Sequence, residues 1–364
     1  MTTTPRSQTR LLILAIATGF ALRLWLAYGH YGNYDETSYE HVAGIVARGG
    51  NVYAETSRYN YGPIWSLVLG GIYQLRAGTG LPFHLIVRTF LSLVDVADAI
   101  LLGLICKSLA RSAIYMLSPV AILIVGLHGQ FDNLAALPLL AAILLLERSS
   151  TPPEWIWMLG TLALCIKHLN VFCVWMLFCY AFPWRKAMLL FSASLAVFLI
   201  EFIPWLDAGG PQGILQNVFL YRGVPRAYGL TNFMPSAAAY ALFVPIMAAL
   251  PILAKRLSFP APKAIALAAV ALLVFMPGSG ECYLILPALF GVLVLGPGYW
   301  IYTAVAYLFL MTGPNYLQPS TLSPPWGILW LSLLAFLATI LIRLPYVRHR
   351  AVGKLVPVAL AAAR

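Results

Sequence analysis

An acidic pair lies in the first long polar segment of the chain. Asp35 and Glu36 occur in the sequence Gly-Asn-Tyr-Asp-Glu-Thr-Ser-Tyr, where a pattern typical of an amphipathic helix extends from Glu36 to Arg48. A carboxylate that faces a protected cavity is suited to remove a proton from a hydroxyl group, so Asp35 and Glu36 are candidate catalytic acids or bases. The alternative is structural, because an acid here also caps a helix or occupies its first turn.

A second polar cluster interrupts an apolar stretch at residues 126–133. It reads Gly-Leu-His-Gly-Gln-Phe-Asp-Asn and contains His128, Gln130 and Asp132. Polar side chains are costly to bury among apolar runs, which favours contacts with a substrate for His128 and Gln130. Hard divalent cations prefer carboxylate oxygens, so Asp132 with Asp35 is a candidate metal pair, although the sequence requires no cofactor. A simple turn between two helices is the alternative.

Several cations are suited to binding a phosphate group. Lys167 and His168 lie inside an otherwise apolar stretch, and Arg222 and Arg226 lie in the long polar segment 204–235. Phosphate accepts charge-assisted hydrogen bonds from such donors, and it would also remove the cost of an isolated cation near lipid. The alternative for the two arginines is contact with lipid headgroups.

Two further acids, Asp95 and Asp98, lie within the apolar run His84–Cys106. They are three positions apart, so they share one face of a helix. Acids in such a run are expected to accept hydrogen bonds from neighbouring helices. We predict this structural role for both residues and no part in catalysis.

The composition identifies lipid as the solvent of much of the surface. Of the 364 residues, 61% are hydrophobic and only 10% are charged, whereas a soluble domain carries about 25% charged residues. This excess excludes a soluble globular domain. The net charge of +11 arises from short basic clusters between apolar runs, which is the positive-inside pattern and excludes a nucleic-acid partner. The five cysteines include no CxxC pair, so no disulfide framework is indicated.

The apolar runs predict an all-α polytopic membrane protein of about twelve spans. Basic clusters should be cytoplasmic, which requires Ile64–Leu75 to lie on the outer surface and Trp155–Phe182 to form two short passes broken near Lys167. The first run, Leu11–Tyr28, lacks a small-residue cleavage site and is expected to remain as a span, with both termini cytoplasmic. The other predicted spans are His84–Cys106, Ala113–Leu127, Leu134–Leu146, Ala187–Ile203, Ser236–Ala254, Ala264–Met276, Tyr283–Leu295, Trp300–Met311 and Trp326–Ile342.

This topology places the candidate residues on one side of the membrane. The residues expected on the outer, non-cytoplasmic side are Asp35, Glu36, His128, Gln130, Asp132, Lys167, His168, Arg222, Arg226 and Glu281. Charged groups at membrane depth are functional candidates by default, and Glu281 joins the set for this reason.

At these residues the chain resembles the GT-C superfamily of membrane glycosyltransferases, which use polyprenyl-phosphate sugars. Asp35-Glu36 matches the acid of a large first outer loop, and Tyr59-Asn60-Tyr61-Gly62-Pro63 resembles the family's Y-x-Y-P-P entry to a juxtamembrane helix. Closer similarity is to the dolichyl-phosphate-glucose-dependent glucosyltransferases, and the mannosyltransferase that starts the GPI anchor shares a Gly-Gln-Phe-Asp-like segment. The segments that resemble those of the glucosyltransferases, in the same order, are His128–Asn133 (H-F-Q-Y-N), Ile166–Phe172 (L-K-H-L), Tyr221–Phe233 (F-x-R-G-L…N-F) and Gly278–Leu284 (H-V-H-E-K).

The match departs from the family at three places. A gapless alignment of the first loop puts Asn33 at the glucosyltransferases' acid position, although Asp35-Glu36 fits the broader D-[DE] pattern. Gly62 stands where the family has a proline, and the histidines that precede the acid of H-V-H-E-K are absent before Glu281.

The resemblance implies an inverting hexosyltransferase of the cell envelope. It would move a hexose from a polyprenyl-phosphate donor to a glycan or lipid-linked acceptor on the outer side, with Asp35 as general base and Glu36 assisting. The residues it assigns to substrate or phosphate are Lys167, His168, Arg222, Arg226, His128, Gln130 and Glu281. Residues 1–235 would form the catalytic module, with outer loops 29–83 and 204–235, and residues 236–364 would add further spans and a short cytoplasmic tail. By analogy the membrane is a bacterial plasma (inner) membrane and the donor lipid undecaprenyl or decaprenyl phosphate.

Two rival functions fit the same composition. A transporter or lipid flippase also places polar residues at membrane depth, but such proteins usually contain internal repeats, and none is found in this sequence. A non-catalytic, GT-C-like membrane subunit is the other rival. Polar residues confined to one side favour an enzyme that faces one compartment.

Overall fold

The computed structural model describes residues 5–30, 33–149, 154–207, 209–221, 229–312 and 326–342. Within these residues the chain forms helices and no β-strand, which confirms the all-α class. The predictions made for Arg222, Arg226 and the basic C-terminal tail fall outside the described residues.

The described helices follow one another with short connections. The α-helices are α1 (Pro5–Gly29), α2 (Tyr34–Ala47), α3 (Val52–Glu55), α4 (Pro63–Thr79), α5 (Phe83–Cys106), α6 (Leu109–Met116), α7 (Pro119–Ala121), α8 (Asp132–Arg148), α9 (Trp155–Ile166), α10 (Val171–Ala181), α11 (Trp184–Ile200), α12 (Gly210–Gly213), α13 (Ser236–Arg256), α14 (Ala261–Phe275), α15 (Ile285–Phe290), α16 (Pro297–Thr312) and α17 (Trp326–Leu341). The π-helices are Ile122–Leu127 and Ile214–Phe219, and the 3₁₀ helices are His168–Asn170, Ile203–Trp205, Leu230–Asn232, Glu281–Leu284 and Gly291–Val294.

Four described segments are long and apolar enough to cross a bilayer. They are Thr9–Gly29, Phe83–Cys106, Trp184–Trp205 and Ser236–Arg256. A fifth forms if Leu109–Met116 and Pro119–Leu127, which meet at a bend of 43°, count as one span. These segments indicate a membrane protein. The other predicted spans fall on shorter helices, so the prediction of about twelve spans goes beyond what helix length and composition support.

Apolar side chains cover the outside of these segments. Leu189 and Leu199 of α11, and Ile13 and Leu14 of α1, each expose between 55% and 69% of their surface. A soluble protein rarely exposes continuous apolar surface of this kind, whereas lipid chains are an equally apolar solvent. The exposed leucines and isoleucines are therefore expected to face the bilayer.

Helix α14 lies inside the C-terminal half of the described chain. Every residue from Ala264 to Val274 is buried, and α10, α13, α15 and α17 pack around the helix. A helix that is apolar around its whole circumference can be surrounded by lipid or by other helices, and here helices surround it. Its five alanines between Ala264 and Ala271 allow the neighbouring backbones to approach closely.

A buried polar group joins α1, α5, α6 and α8. Arg23 Nε donates to Asp95 Oδ2 at 2.7 Å, while Tyr115 Oη and Asn133 Nδ2 donate to Asp95 Oδ1 at 2.6 and 2.9 Å. These bonds confirm the structural role predicted for Asp95. The prediction for Asp98 is wrong, because neither oxygen of this buried residue has a hydrogen-bond partner among the described residues.

The helix break predicted near Lys167 is present. Helix α9 ends at Ile166, the 3₁₀ turn His168–Asn170 follows, and α10 begins at Val171. Lys167 itself has an extended backbone with φ −150° and ψ 107°, which ends the α-helical hydrogen-bond ladder. At this break the chain reverses direction between the short apolar helices α9 and α10, and Lys167 lies at the turn.

The first polar segment folds into helices that pack on one another. The amphipathic helix predicted at Glu36–Arg48 is α2, and the run predicted to be interfacial, Ile64–Leu75, lies within α4. Pro63 occupies the first turn of α4, where a backbone N–H would have no acceptor within the helix, so the lack of this group in proline costs no hydrogen bond. Helix α4 packs against α2 and is not among the described segments that qualify as spans. Its interfacial location stays a prediction.

Candidate functional site

Asn33 fixes the start of α2 and ties it to the 126–133 segment. Its Oδ1 accepts the backbone N–H of Glu36 at 2.9 Å, and its Nδ2 donates to the backbone oxygen of His128 at 2.9 Å. The helix cap is therefore Asn33 and not Asp35, which occupies the first turn, the other structural position considered for it. Asp35, in the first turn, is left with its carboxylate directed elsewhere.

The Asp35 carboxylate is held by the side chain of Gln130. Gln130 Nε2 donates to Asp35 Oδ2 at 2.6 Å, and Tyr39 Oη donates to Gln130 Oε1 at 3.2 Å. Gln130 and Tyr39 are buried, so this chain of bonds is fixed in one orientation. Burial raises the pKa of the Asp35 carboxyl, and the Gln130 bond and the Lys167 charge oppose that increase. A carboxylate with a raised pKa is a better proton acceptor than an exposed one.

Lys167 lies beside Asp132 inside a group of aromatic rings. Lys167 Nζ is 2.8 Å from Asp132 Oδ2, and the two side chains are 2% and 1% exposed. The ammonium lies 4.5 Å from the ring centre of Phe131, 5.0 Å from that of Tyr283 and 5.3 Å from that of Tyr61. Cation–π attraction and the Asp132 charge together stabilise an ammonium that would otherwise be costly at this depth.

The two carboxylates predicted as a possible metal pair, Asp35 and Asp132, each have another partner in the structure. Asp132 is paired with Lys167, and Asp35 accepts a hydrogen bond from Gln130. The described residues contain no group of three or more acidic, histidine or cysteine side chains placed to hold a metal. The charge beside Asp35 is supplied by an ammonium group.

Glu36 is a structural residue in this arrangement. Arg88 Nε and Nη2 donate to its two carboxylate oxygens at 2.5 and 2.6 Å, and both side chains are buried. Arg88 Nη1 also donates to the backbone oxygen of His30 at 2.8 Å. The fork of bonds fastens α2 to α5. Glu36 was predicted to assist catalysis, but both of its oxygens are engaged by Arg88.

Gly129 makes the approach of α2 and the 126–133 segment possible. Its φ is +64°, and a Cβ atom at this position would lie 2.6 Å from Glu36 Oε1. Glycine is therefore required twice, for the left-handed backbone and for the space next to the Glu36–Arg88 pair.

We expect Gly129→Ala to lower the free energy of unfolding by about 1–3 kcal/mol, because it adds backbone strain and a clash with Glu36. Reversible unfolding of the purified protein in mixed detergent micelles would measure the change. Gly71→Ala is the matched control, since Gly71 lies in α4 with open space around it and alanine there should be neutral or stabilising. Equal stability of the two variants would contradict the role given to Gly129.

His128, His168 and Glu281 lie around the same cluster. Burial and the nearby Arg88 charge lower the pKa of His128 to about 4, so this side chain is neutral near pH 7 and does not supply a positive charge to a phosphate. His168 directly follows Lys167 at the helix break, and its Nδ1 is buried. Glu281 begins the 3₁₀ helix Glu281–Leu284, which contains Tyr283, one of the rings at Lys167.

The segment predicted to form the second outer loop approaches the cluster at Tyr221. Burial raises the pKa of the Tyr221 hydroxyl, and the Asp35 carboxylate adds to this increase, which places Tyr221 near Asp35. Farther along, Leu230 and Thr231 donate their backbone N–H groups to the carbonyl oxygens of Met276 and Pro277, each at 3.0 Å. One described end of this segment thus lies near Asp35, and the other is bonded to the residues that precede Glu281 in the sequence.

Residues from five separate parts of the sequence therefore meet at one place. Among the residues predicted to share one side, Asp35, Gln130, Asp132 and Lys167 lie together, through the Gln130–Asp35 bond, the Lys167–Asp132 pair and the influence of the Lys167 charge on Asp35, while Arg222 lies outside the described residues. Tyr221 and Tyr283 complete the group.

No protein-family model, curated protein or solved structure matches this chain.

Four polar residues that are buried or partly buried were not singled out by the sequence. They are Arg23, Arg88, Tyr39 and Glu201. Arg23 and Arg88 lie in predicted spans, where a cation is rare and indicates a buried partner. Glu201 ends an apolar run and lies against Gly62 and Cys165, at the same end of the helices as Lys167. Tyr39 gave no signal, because a tyrosine on an amphipathic helix is ordinary.

Proposed function

We propose that this chain is an integral membrane glycosyltransferase of the GT-C type. It would transfer a hexose from a polyprenyl-phosphate donor to a glycan or lipid-linked acceptor on the non-cytoplasmic side of the plasma membrane. The observation that carries the proposal is the Asp35 carboxylate, oriented by Gln130 and placed near the buried ammonium of Lys167.

Asp35 has the position and state of a general base. Oδ2 accepts from Gln130, and Oδ1 has no hydrogen bond from the described residues, so Oδ1 is available to an acceptor hydroxyl. The acceptor oxygen would attack the anomeric carbon while the bond between that carbon and the phosphate oxygen breaks. The hydroxyl proton passes to Asp35, and the configuration at the carbon inverts.

Lys167 has the charge that the leaving phosphate requires. As the carbon–oxygen bond breaks, negative charge develops on the polyprenyl phosphate, and a fixed ammonium in an apolar site stabilises it strongly. Asp132 and the rings of Phe131 and Tyr283 hold the ammonium in place before substrate binds. Arg222 and Arg226, which follow Tyr221 in the sequence, are proposed as further phosphate contacts.

The proposal includes about twelve spans with both termini in the cytoplasm. Support comes from the distribution of charge along the helices. Lys186 bonds to Glu154 at the start of α9 and α11, and Lys255 lies 6.0 Å from the ring of Tyr180 near the ends of α13 and α10. These cations lie at the helix ends opposite to the end that carries Lys167. The positive-inside pattern then puts the Asp35 cluster outside.

The test uses the purified protein in proteoliposomes. The vesicles contain a panel of radiolabelled undecaprenyl-phosphate hexoses and a lipid and glycan extract from cells that lack the protein. We expect protein-dependent loss of one labelled donor, release of undecaprenyl phosphate and a new labelled product. Movement of the intact donor across the bilayer would identify a flippase instead, and an unchanged panel would overturn the proposal.

Gln130→Leu should shift the acid limb of the pH–activity profile to higher pH. A general base must be ionised, so activity falls as the pH decreases through its pKa. Burial already raises the pKa of Asp35, and the Gln130 bond, which favours the charged form, opposes this. Removing the bond leaves the burial effect less opposed, so the pKa rises further.

The profile of kcat/KM against pH measures this shift. Tyr39→Phe is the control, because it keeps the Gln130 amide group while removing only the more distant bond in the chain. A limb that does not move, or that moves to lower pH in Gln130→Leu, would contradict Asp35 as the titrating base.

A further inference from the structure

A cavity of about 590 Å³ lies between α1, α5, α6 and α8. Its wall is formed largely by apolar side chains, among them Leu12, Ile100, Leu104 and Leu144. Ile100 and Leu104 expose 49% and 43% of their surface. The cavity is therefore open along its apolar wall and is not a sealed packing defect.

This cavity lies at the opposite end of the helices from the Asp35 cluster. Asp132 begins α8 and Arg148 ends it, so a rise of 1.5 Å per residue separates the two by about 24 Å along the helix. Lys107 likewise follows the last residue of α5, whose first turns carry Arg88. The cavity and the candidate site thus lie at opposite ends of the helices, which in the proposed orientation face opposite leaflets of the bilayer.

Two cations stand at the mouth of the cavity. Lys107 and Arg148 line it and are exposed, neither lies within ion-pair distance of an acid among the described residues, and the charge of Lys107 acts on nearby Glu147. Glu147 lines the cavity as well, so these three side chains leave one net positive charge. Ser108 adds a hydroxyl that caps no backbone group of α6.

The backbone at Lys107 is unusual for a lysine. Lys107 ends α5 in the left-handed conformation, with φ 50°, at a position where glycine is the ordinary residue. A side chain other than glycine costs about 1 kcal/mol or more in this conformation. The ammonium group at the cavity mouth gives the lysine a role that glycine could not fill.

We propose that this cavity binds an anionic phospholipid of the leaflet opposite the candidate site. The phosphate would lie between Lys107 and Arg148, and an acyl chain would lie along the apolar wall. Lysine and arginine bind phosphate through charge-assisted hydrogen bonds, and basic pockets between membrane helices on the cytoplasmic side suit anionic headgroups. Free phosphate would leave the adjoining apolar wall without an occupant, which favours a lipid.

The experiment is a lipid titration of the purified full-length protein in dodecyl maltoside, read by native mass spectrometry and by melting temperature. The probes are phosphatidylglycerol, phosphatidylcholine with the same acyl chains, and inorganic phosphate. We expect phosphatidylglycerol to bind and raise the melting temperature, and the other two to do neither. Equal binding of the two lipids, or stabilisation by inorganic phosphate alone, would overturn the proposal.

Substitution of the two cations locates the site. The double variant Lys107→Gln/Arg148→Gln should bind phosphatidylglycerol about tenfold or more weakly, since each cation near a headgroup contributes about 1 kcal/mol. The matched control is Arg185→Gln/Lys186→Gln, which removes the same charge at the same end of the molecule, outside the cavity. Equal weakening by both double variants would overturn the assignment.

A third variant keeps both cations and fills the cavity. Leu104→Trp should abolish phosphatidylglycerol binding by occupying the place of the acyl chain, with no change in charge. It also serves if the Gln double variant fails to fold. Retention of full binding by Leu104→Trp would show that the lipid lies elsewhere.

Discussion

Asp35→Asn should reduce glycosyl transfer by about 10²–10⁴-fold, the contribution of a positioned general base. The amide cannot take the proton of the acceptor hydroxyl. Its oxygen can still accept the bond that Gln130 donates to Asp35 at 2.6 Å, and it removes a charge that burial disfavours. The variant should therefore fold and accumulate normally, and the loss should fall on turnover. The measurement is initial rates in the proteoliposome assay at saturating donor.

Glu40→Gln is the matched control for Asp35→Asn. Glu40 lies on the same helix and is half-buried in an ion pair with Arg76, away from Gln130. It should retain most of the transfer activity. Normal transfer by Asp35→Asn would remove Asp35 as the base, whereas equal loss in both variants would point to a defect in α2 as a whole.

Arg88→Met should lower the free energy of unfolding by about 3–5 kcal/mol, because it leaves the buried Glu36 carboxylate without its partner. The two side chains are 1% and 3% exposed, and Arg88 also bonds to the backbone of His30. The loss should therefore exceed that of any exposed pair. Unfolding in mixed micelles, followed by circular dichroism, would measure it.

Two further variants isolate the cause. Arg48→Met breaks an exposed pair with Glu55, in which the side chains are 58% and 37% exposed, and it should cost about 0–1 kcal/mol. The double variant Glu36→Gln/Arg88→Met should recover much of the loss, since no orphaned charge remains. A small effect of Arg88→Met, similar to that of Arg48→Met, would contradict the structural role of this pair.

The sequence predicted the parts of the fold that depend on local composition. The helix break at Lys167 followed from polar residues inside an apolar run, and α2 followed from its amphipathic pattern. The expectation that Asp35, Gln130, Asp132 and Lys167 share one side followed from charge-based topology, which sorts loops to one side of a bilayer. Asn33 as the helix cap was also within reach, because Asn followed three positions later by Glu is a capping signature.

The pairings among these residues could not be predicted. Sequence spacing does not say that Glu36 meets Arg88 or that Asp132 meets Lys167, because these contacts depend on how α2, α5, α8 and α9 cross. The pairings decide the roles of the two acids. Glu36 holds α2 against α5 through Arg88, whereas Asp35 remains available to accept a proton. Asp98 was assigned partners by a general rule about buried acids, and that rule fails at this residue.

The shortness of α9 sets how deep the reactive groups lie. Its 12 residues rise only about 18 Å, against a hydrocarbon thickness of about 30 Å. In the proposed orientation the Lys167 ammonium, at the break between α9 and α10, would thus lie roughly 12 Å below the outer boundary of the hydrocarbon layer. A lipid-borne headgroup has to sink to that level, and an acceptor must be slender enough to follow it. Folded proteins and branched polymers would then be sterically poor acceptors, whereas a single exposed sugar or a lipid headgroup would fit.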